Sequence, residues 1–265
     1  MKEMPVSYHR ILDRLEHREE RLLRSTGFHP LAAAGERLEE KIPPALEDVL
    51  RGAFRKTFSL LIGSGGTRVL NHTNPKKKRS AMEEIWSKSP SPAKAKKEIR
   101  RLNRRRRNAR RLQACVSGGE GTVLGILGIG IPDIPILLGI LLRGLYETAA
   151  AYGFSVDSPE ERAYLLLVLQ GGVTEGERRR DLSHRADTLG RAIDHGWNAE
   201  WNLEQEMDVT ADLLAERLLF LKFVQGIPVA GAVAGAANLS ISNTVAKYAA
   251  IKYQKRFLEK KVRGL

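Results

Sequence analysis

Two long apolar stretches interrupted by proline most constrain the fold of this chain. Residues 121–142 contain a single charged side chain, Asp133, and residues 223–246 contain none. A helix of about 20 apolar residues can cross a bilayer, but Pro132 and Pro135 divide the first stretch into halves too short to do so singly. Both stretches also contain the triplet Gly-Ile-Pro. We therefore predict that each folds as a glycine-rich helical hairpin.

The turns of these hairpins are candidate contact sites because apolar side chains surround their prolines. The residues concerned are Ile131, Pro132, Asp133, Ile134, Pro135, Ile227 and Pro228. Closely spaced glycines let helix backbones approach each other both in membrane bundles and in tightly packed soluble cores. The apolar hairpins therefore either dip into one leaflet of a membrane or stay buried in the protein. Between its two prolines, Asp133 is placed to cap a helix that starts near Ile134 rather than to react.

The composition indicates an all-α protein. Aromatic residues make up 6% of the 265 residues, whereas Ala, Leu, Ile, Val and Gly are plentiful. Strands favour β-branched and aromatic residues, and strict alternation of apolar and polar residues does not persist here. The predicted fold class is all-α, with a single helical domain that contains two glycine-rich helical hairpins and a basic helical arm.

Several further helices are predicted from apolar spacing and start signals. Pro43 and Pro44 open an amphipathic core helix, and Ser158 with Glu161 has the spacing of a capping box. An exposed, charged helix is predicted over residues 7–24, with a narrow apolar stripe of Ile11, Leu12, Leu15, Leu22 and Leu23. An apolar helix is predicted from residue 159 to about 169, and further helices over 181–195 and 199–223, with a polar break over 171–180. The chain closes with a basic stretch: Lys247, Lys252, Lys255, Arg256, Lys260, Lys261 and Arg263.

The positive charge is concentrated in one segment. Residues 71–111 contain 16 Lys and Arg against three Glu, so their balance of +13 equals the formal net charge of the whole chain. A helix predicted from Ala93 to about Val116 has one apolar side and cationic other faces. This helix and the lysines before it form the predicted basic arm, residues 71–117. Its candidate lipid- or anion-binding residues are Lys76, Lys77, Lys78, Arg79, Arg100, Arg101, Arg104, Arg105, Arg106, Arg107, Arg110 and Arg111.

Three partners fit the basic arm. Clustered Lys and Arg on an amphipathic helix are attracted to anionic lipid, by roughly 1 kcal/mol per charge near the surface. The same cluster could bind the phosphates of nucleic acid, although no recognised nucleic-acid module accompanies it. The third alternative is pairing inside the protein with the acidic face of residues 200–216. We favour the anionic membrane surface.

Catalytic and metal-binding signatures are weak. Cys115 is the only cysteine, which excludes an intramolecular disulfide and a cysteine-based zinc site. Two sets of side chains have the four-residue spacing that metal ligands use on a helix. These are His9, Asp13 and His17, and Asp187, Arg191 and His195. Neither is a zinc signature, and we predict solvated side chains for both. The chain has no Gly-x-Ser-x-Gly elbow, and we predict no catalytic residues, no metal and no cofactor.

A set of landmarks in order resembles the EcsC family. These are Lys41-Ile-Pro43 before an amphipathic helix, Gly130-Ile-Pro-Asp-Ile-Pro135 before a helix ending Tyr152-Gly-Phe154, a glycine- and alanine-rich run over residues 227–238, and a basic helix ending at residues 255–258. The resemblance covers roughly residues 40–262. It implies a relative of a bacterial protein encoded beside the subunits of an ABC transporter, in a family without established biochemical function. No family catalytic residues carry over, and the run Arg104 to Arg107 is not part of the family pattern.

The expected organisation is an N-terminal helical extension over residues 1–39 and an EcsC-like domain over 40–262. The charged N-terminus lacks the apolar core of a signal peptide, which predicts a cytoplasmic protein peripheral to the cytosolic face of a membrane. The expected function is membrane association that supports a transporter or a lipid process. The alternatives are a cytosolic scaffold that binds a protein or nucleic acid, and a hydrolase with a dispersed active site, which a pocket gathering Asp133 and Tyr152 would favour.

Overall fold

A computed structural model describes residues 6–24, 44–63, 133–225 and 234–263 of the chain. These residues form seven helices, and no strand occurs among them. The helices are α1 (Val6–Arg24), α2 (Pro44–Leu61), α3 (Asp133–Ala151), α4 (Pro159–Val173), α5 (Gly176–His195), α6 (Leu203–Gln225) and α7 (Ala234–Arg263). The prediction of an all-α single domain is confirmed.

Helix α4 lies at the centre of one hydrophobic core. All eleven residues from Ala163 to Val173 are buried, and α4 packs against α5, α6 and α7. A helix that is apolar on every side is stable only when neighbours cover every side. Its start agrees with the sequence, because the Ser158 hydroxyl accepts a hydrogen bond from the Glu161 backbone N–H at 3.3 Å. This contact confirms the Ser158 half of the predicted capping box.

The predicted polar break over residues 171–180 is wrong. Helix α4 continues to Val173, and α5 already begins at Gly176. The glycines in this region allow close packing rather than ending the helix. A Cβ at Gly171 would lie 2.6 Å from the Tyr248 ring, and one at Gly172 would lie 2.8 Å from the Val245 Cα. Helices α4 and α7 can therefore approach closely only because these two residues lack side chains.

Helix α2 runs antiparallel to α6. The Arg55 guanidinium lies 3.0 Å from the Asp208 carboxylate, and Arg51 lies 3.6 Å from Asp212. At the end of α2, the Arg162 guanidinium donates a hydrogen bond to the Ile62 carbonyl at 3.2 Å. The amphipathic core helix predicted after Pro43 is confirmed, and its inward face contributes buried apolar side chains to the core: Leu50, Phe54, Phe58 and Ile62.

Helix α1 is less exposed than its charged sequence predicts. Its boundaries agree with the prediction to within one residue, and Ile11 and Leu15 of the predicted apolar stripe belong to the common core. The Glu19 side chain, however, is also buried. The reason is that α7 provides two lysines opposite this carboxylate. The predicted domain boundary after residue 39 lies outside the described residues and stays a prediction.

Helix α3 contains the described part of the first hairpin. It begins at Asp133, one residue before the start near Ile134 that the capping prediction gives, so capping by Asp133 stays a prediction. Ile134 is only 2% exposed within the core, whereas Pro135 is exposed. Ile131, Pro132 and the second turn with Ile227 and Pro228 lie outside the described residues, so the two-hairpin arrangement stays a prediction. Among the helices that the structure describes, none is both long and apolar enough to cross a membrane.

Candidate functional site

The most distinctive site of the described helices is a set of buried ion pairs along α7. Lys252, Lys255, Arg256 and Lys260 recur at three- and four-residue spacing, which brings them to neighbouring positions on one side of the helix. This side faces α1, α4 and α5. Three of the four side chains are nearly inaccessible to solvent, at 0%, 14% and 5% for Lys252, Lys255 and Arg256. Charges buried to this extent require partners.

The first cluster joins α7 to α1 and α5 through a closed ring of charges. The Lys252 ammonium donates to the Glu19 carboxylate at 2.9 Å and to the Asp187 carboxylate. Lys255 donates to the other oxygens of the same two carboxylates, at 2.9 and 2.8 Å. The Ser183 hydroxyl donates to Glu19 at 2.8 Å and accepts from Lys252 at 3.0 Å. Each carboxylate thus bridges both lysines, and the ring is electrically neutral.

The electrostatics of this ring favour the ionised forms. Burial alone would raise the pKa of the Glu19 carboxyl, but the charges of Lys252 and Lys255 outweigh it and lower this pKa from 4.5 to about 2. Burial opposes the charge of Lys255, but Asp187 and Glu19 outweigh that effect and raise its pKa above the usual value. The Lys252 ammonium also donates to the Ser183 carbonyl at 3.0 Å. Its hydrogens are thus directed at oxygen acceptors, an arrangement that holds a cation rather than exposing a nucleophilic amine.

The second cluster is centred on Arg256. Its guanidinium donates to both oxygens of Glu161, at 2.8 and 2.7 Å, and to both oxygens of Asp194, at 2.8 and 3.0 Å. The Phe154 and Tyr164 rings lie 4.4 and 4.6 Å from the guanidinium carbon. Burial disfavours the charge, but the two carboxylates outweigh this and raise the pKa of Arg256 above its usual value. The cluster ties the start of α4 and the end of α5 to α7.

A third buried group links α4, α5 and α6. The Gln170 amide donates to Glu206 at 2.8 Å and to the Thr210 hydroxyl at 2.9 Å, and Glu206 also pairs with Arg185. Nearby, the buried Arg179 donates to the Gly171 carbonyl at 3.0 Å. These contacts give the Gln170 amide nitrogen, the Glu206 carboxylate and Arg179 partners on neighbouring helices, and they hold those helices in register.

The buried tyrosines are not poised as bases. Burial raises the pKa of Tyr146 to about 12, and it raises the pKa of Tyr164 and Tyr253 well above the ordinary value. The Tyr253 ring packs against Tyr164 with centroids 5.3 Å apart, edge to face. At neutral pH these hydroxyls stay protonated, and their rings serve as core.

The sequence-predicted site residues are only partly described. The basic arm, with Lys76 to Arg79, Arg100, Arg101, Arg104 to Arg107, Arg110 and Arg111, lies outside the described residues. Asp133 and Tyr152 do not share a pocket, because they lie at opposite ends of α3, a helix of 19 residues and so about 28 Å long. Tyr152 is buried against Phe257.

Four of the six carboxylates over residues 200–216 are already paired in the structure. They contact arginines of α2 and α5, in the pairs Asp208 with Arg55, Asp212 with Arg51 and Arg55, Glu206 with Arg185, and Glu216 with Arg178. The partners of these four carboxylates are therefore arginines of neighbouring helices in the bundle.

The histidine sets differ from each other. Asp13 and His17 are exposed, as predicted, whereas His9 has no described side chain. The prediction of a solvated Asp187 is wrong, because this carboxylate is half-buried against Lys252 and Lys255. Within the described residues, no group of three or more His, Cys, Asp or Glu is arranged to hold a metal ion.

Sequence reasoning missed the ion-pair clusters. The basic residues of α7 were predicted only as a basic stretch at the end of the chain, and Glu19 was not singled out within the exposed, charged helix predicted over residues 7–24. One signal was available, since residues 252, 255, 256 and 260 share a helix side that also includes apolar positions. Their carboxylate partners could not be identified, because Glu19 lies 233 residues away from Lys252 in the sequence.

The fold and this site define a helical-bundle protein whose last helix is held by buried ion pairs to the helices around it. A family model described as the EcsC protein family matches residues 9–258. The chain therefore belongs to the EcsC family, as its sequence landmarks predict. The match includes most of α1.

One curated relative is Protein EcsC of Bacillus subtilis (strain 168), which is 38% identical over 64 residues. The aligned region covers 24% of this chain and 27% of that protein. The chain thus aligns with only about a quarter of that relative's length. No solved structure gives a significant match.

Proposed function

We propose that this protein binds the cytosolic face of a membrane peripherally, through the basic arm, and serves a transporter or a lipid process there. The observation that carries the proposal is the segregation of charge. The net charge of +13 resides in residues 71–111, so the rest of the chain is balanced. A dense cationic segment attached to a neutral body is the pattern expected for attraction to anionic head groups.

The pairing of the acidic helix face supports this proposal over internal pairing of the arm. Four carboxylates of α6 already contact arginines of α2 and α5. Pairing the arm with this face would place the arm in competition with those arginines. The excess positive charge is better neutralised by an external polyanion. An extended lipid surface fits it best, because no recognised nucleic-acid module accompanies the arm.

The apolar hairpins contribute fewer residues to the proposed membrane contact than the basic arm does. The described part of the first hairpin contributes Ile134, Leu138 and Leu142 to the core. Acyl-chain contact by the hairpins therefore concerns the turn residues Ile131 and Pro132 and the second turn with Ile227 and Pro228. We assign the initial attraction to the arm, and binding that resists salt to these turns.

Co-sedimentation with liposomes tests the proposal. Neutral and anionic vesicles are compared at low and high salt, with the wild-type chain and a variant in which Arg104 to Arg107 are replaced by Gln. We expect binding to anionic vesicles that falls with salt and with the loss of the four arginines.

A matched control removes the same charge elsewhere. Arg14, Lys56, Arg180 and Lys247 are exposed on four different helices, and the variant with all four replaced by Gln should retain most of the binding. Equal loss in both variants would show that net charge alone, and not the arm, attracts the vesicle. No binding to any vesicle, together with salt-sensitive binding to a duplex oligonucleotide, would replace the membrane with nucleic acid.

A further inference from the structure

We propose that the outward face of α2 is a self-association surface, on which α2 of a second copy of this chain packs antiparallel and crosses at Gly52. The occupant of the face is therefore the same helix face of another molecule. This inference goes beyond the proposed function and does not depend on it, because it involves neither the basic arm nor the hairpin turns.

The outward face of α2 exposes apolar side chains that the bundle leaves uncovered. Helix α2 packs chiefly against α6 and α3. Four large apolar side chains are exposed among the described residues, and two of them, Val49 at 49% and Leu60 at 67%, belong to α2. They lie about three helical turns apart and so share one side of the helix. Apolar side chains grouped on an exposed face are typical of a contact surface.

Gly52 lies at the centre of this face and leaves room for another helix. It is exposed, and a Cβ placed on it would meet nothing within 4 Å outside its own helix backbone. Ala45 and Ser59 lie about two turns before and after it and are also exposed. The distance between packed helices depends on the side chains at the contact. A second backbone can therefore approach α2 closely at Gly52.

The charges on either side of Gly52 make the face complementary to itself. Asp48 lies about one turn before Gly52 and Lys56 about one turn after it, and both are exposed. Neither joins the ion pairs between α2 and α6. When two α2 helices align antiparallel about Gly52, Asp48 of each copy lies level with Lys56 of the other. A parallel alignment would instead place Asp48 beside Asp48 and Lys56 beside Lys56, so the charges favour the antiparallel pair.

The same alignment covers the exposed apolar side chains. Leu60 comes within one residue of the level of Ala45 in the other copy. Val49 comes level with Arg55, whose aliphatic stem can pack against it. Each contact occurs twice, because a two-fold interface uses the same patch on both molecules.

The size of the face sets the strength of the contact. Helix α2 has 18 residues and is about 27 Å long. One face of such a helix is smaller than the interfaces of about 1,200–2,000 Å² that stable complexes bury. We therefore expect weak association that rises with protein concentration, and a monomer in dilute solution.

Disulfide trapping in the full-length chain tests the register. Cys115 is replaced by Ser in every variant, so that the introduced cysteine is the only thiol. Gly52→Cys should form a disulfide-linked dimer at high protein concentration, because the two positions meet at the crossing. Ala45→Cys alone should not, because antiparallel copies place its thiols about 21 Å apart along the helix axis, beyond the reach of a disulfide. A tagged Ala45→Cys chain mixed with the Ser59→Cys chain should give a mixed dimer.

Sedimentation velocity over a range of concentrations tests the charge pairs. Asp48→Lys and Lys56→Glu should each weaken association by about tenfold, because each variant places two like-charge pairs in the dimer. The double variant with both changes should associate like wild type, because unlike charges again lie level with each other. The two single changes shift the net charge in opposite directions, so a loss in both cannot come from net charge. Glu16→Lys, at an exposed position of α1, changes the net charge as Asp48→Lys does and should associate like wild type.

Three results would overturn the proposal. The first is a Gly52→Cys chain that cross-links no more than Lys247→Cys, which is exposed on α7. The second is an Ala45→Cys chain that cross-links with itself as readily as with Ser59→Cys, because this would indicate a contact without the antiparallel register. The third is a charge-swapped double variant that associates no better than the single variants.

The vesicle assay tests the other occupant of this face. Val49→Ser combined with Leu60→Ser should leave vesicle binding unchanged and should lower the yield of the Gly52→Cys dimer. Loss of vesicle binding in this variant, with no Gly52→Cys dimer at any concentration, would show that lipid covers the face and would overturn the proposal.

Discussion

Replacement of Arg256 by Met tests how much of the fold depends on the second ion-pair cluster. The guanidinium is 5% exposed, and the carboxylates of Glu161 and Asp194 are 12% and 8% exposed. Arg256→Met keeps much of the stem volume but removes four charge-assisted hydrogen bonds. Two neighbouring carboxylates then remain buried, with only Lys260 at 3.5 Å from Asp194.

The expected loss follows from this geometry. Removal of one partner of a buried ion pair typically costs about 3–5 kcal/mol, mainly because the remaining charge is buried without a counterion. For a chain of this size, 1 kcal/mol lowers the melting temperature by about 2–4 °C. Arg256→Met should therefore melt about 6–20 °C below wild type. Urea unfolding followed by circular dichroism measures the same loss as free energy.

Two comparisons separate the buried charges from a general effect of losing a cation. Lys247→Met removes an exposed cation from the same helix, and it should change the free energy of unfolding by about 0.5 kcal/mol or less. The triple variant Arg256→Met, Glu161→Gln, Asp194→Asn should be more stable than Arg256→Met alone by at least about 1 kcal/mol, because no unpaired charge remains. Arg256→Met as stable as Lys247→Met, or a triple variant less stable than the single one, would refute the reasoning.

Three further changes have defined expectations. The pKa of Glu19 is about 2 in the fold against 4.5 in the unfolded chain, so its contribution of about 3 kcal/mol is present above pH 4.5 and is lost as the pH falls through about 2. The free energies of unfolding of wild type and Glu19→Gln should therefore converge as the pH is lowered in an acid-unfolding experiment. A constant difference between them at every pH would contradict this. Gly172→Ala should destabilise the protein by about 1–3 kcal/mol, because the new methyl group meets the backbone of α7. Gly52→Ala, with open space around it, should stabilise the protein by about 0.5–1 kcal/mol in thermal melts. Equal effects of the two substitutions would refute the close approach of α4 to α7. Ser158→Ala should cost about 1 kcal/mol in urea unfolding through the lost cap, and no change would show that the cap contributes nothing.

Local signals were sufficient for much of the fold. Helix α2 is readable from its two prolines and the apolar spacing that follows, and the start of α4 from the Ser158 cap. These features depend on residues close in sequence, where periodicity and capping chemistry act directly. The all-α class follows from them without knowledge of which helices touch.

Long-range packing decided the features that the sequence did not reveal. Gly171 and Gly172 were predicted to end a helix, because glycine is a poor helix former and the local sequence does not show that Tyr248 and Val245 lie against them. The helix that contains Glu19 was predicted to be exposed, and nothing local marks this carboxylate as buried, because carboxylates are seldom buried without a partner. Only the lysines of a helix more than 200 residues away make its burial favourable.

The chain has both buried ion pairs and an exposed cationic segment, and their different response to salt allows vesicle binding to be measured separately from folding. The buried pairs of Lys252 and Arg256 are enclosed by helices, so salt screens them much less than it screens charges in solvent. Attraction of an exposed cationic segment to lipid, in contrast, weakens steeply as salt rises. Loss of vesicle binding at high salt, with unchanged circular dichroism and melting temperature, would therefore report on the surface contact and not on unfolding of the bundle. Helix α1 should stay docked under the same conditions, because its Glu19 carboxylate lies inside the ring that it forms with Lys252, Lys255 and Asp187. Loss of vesicle binding at high salt would therefore not reflect release of α1.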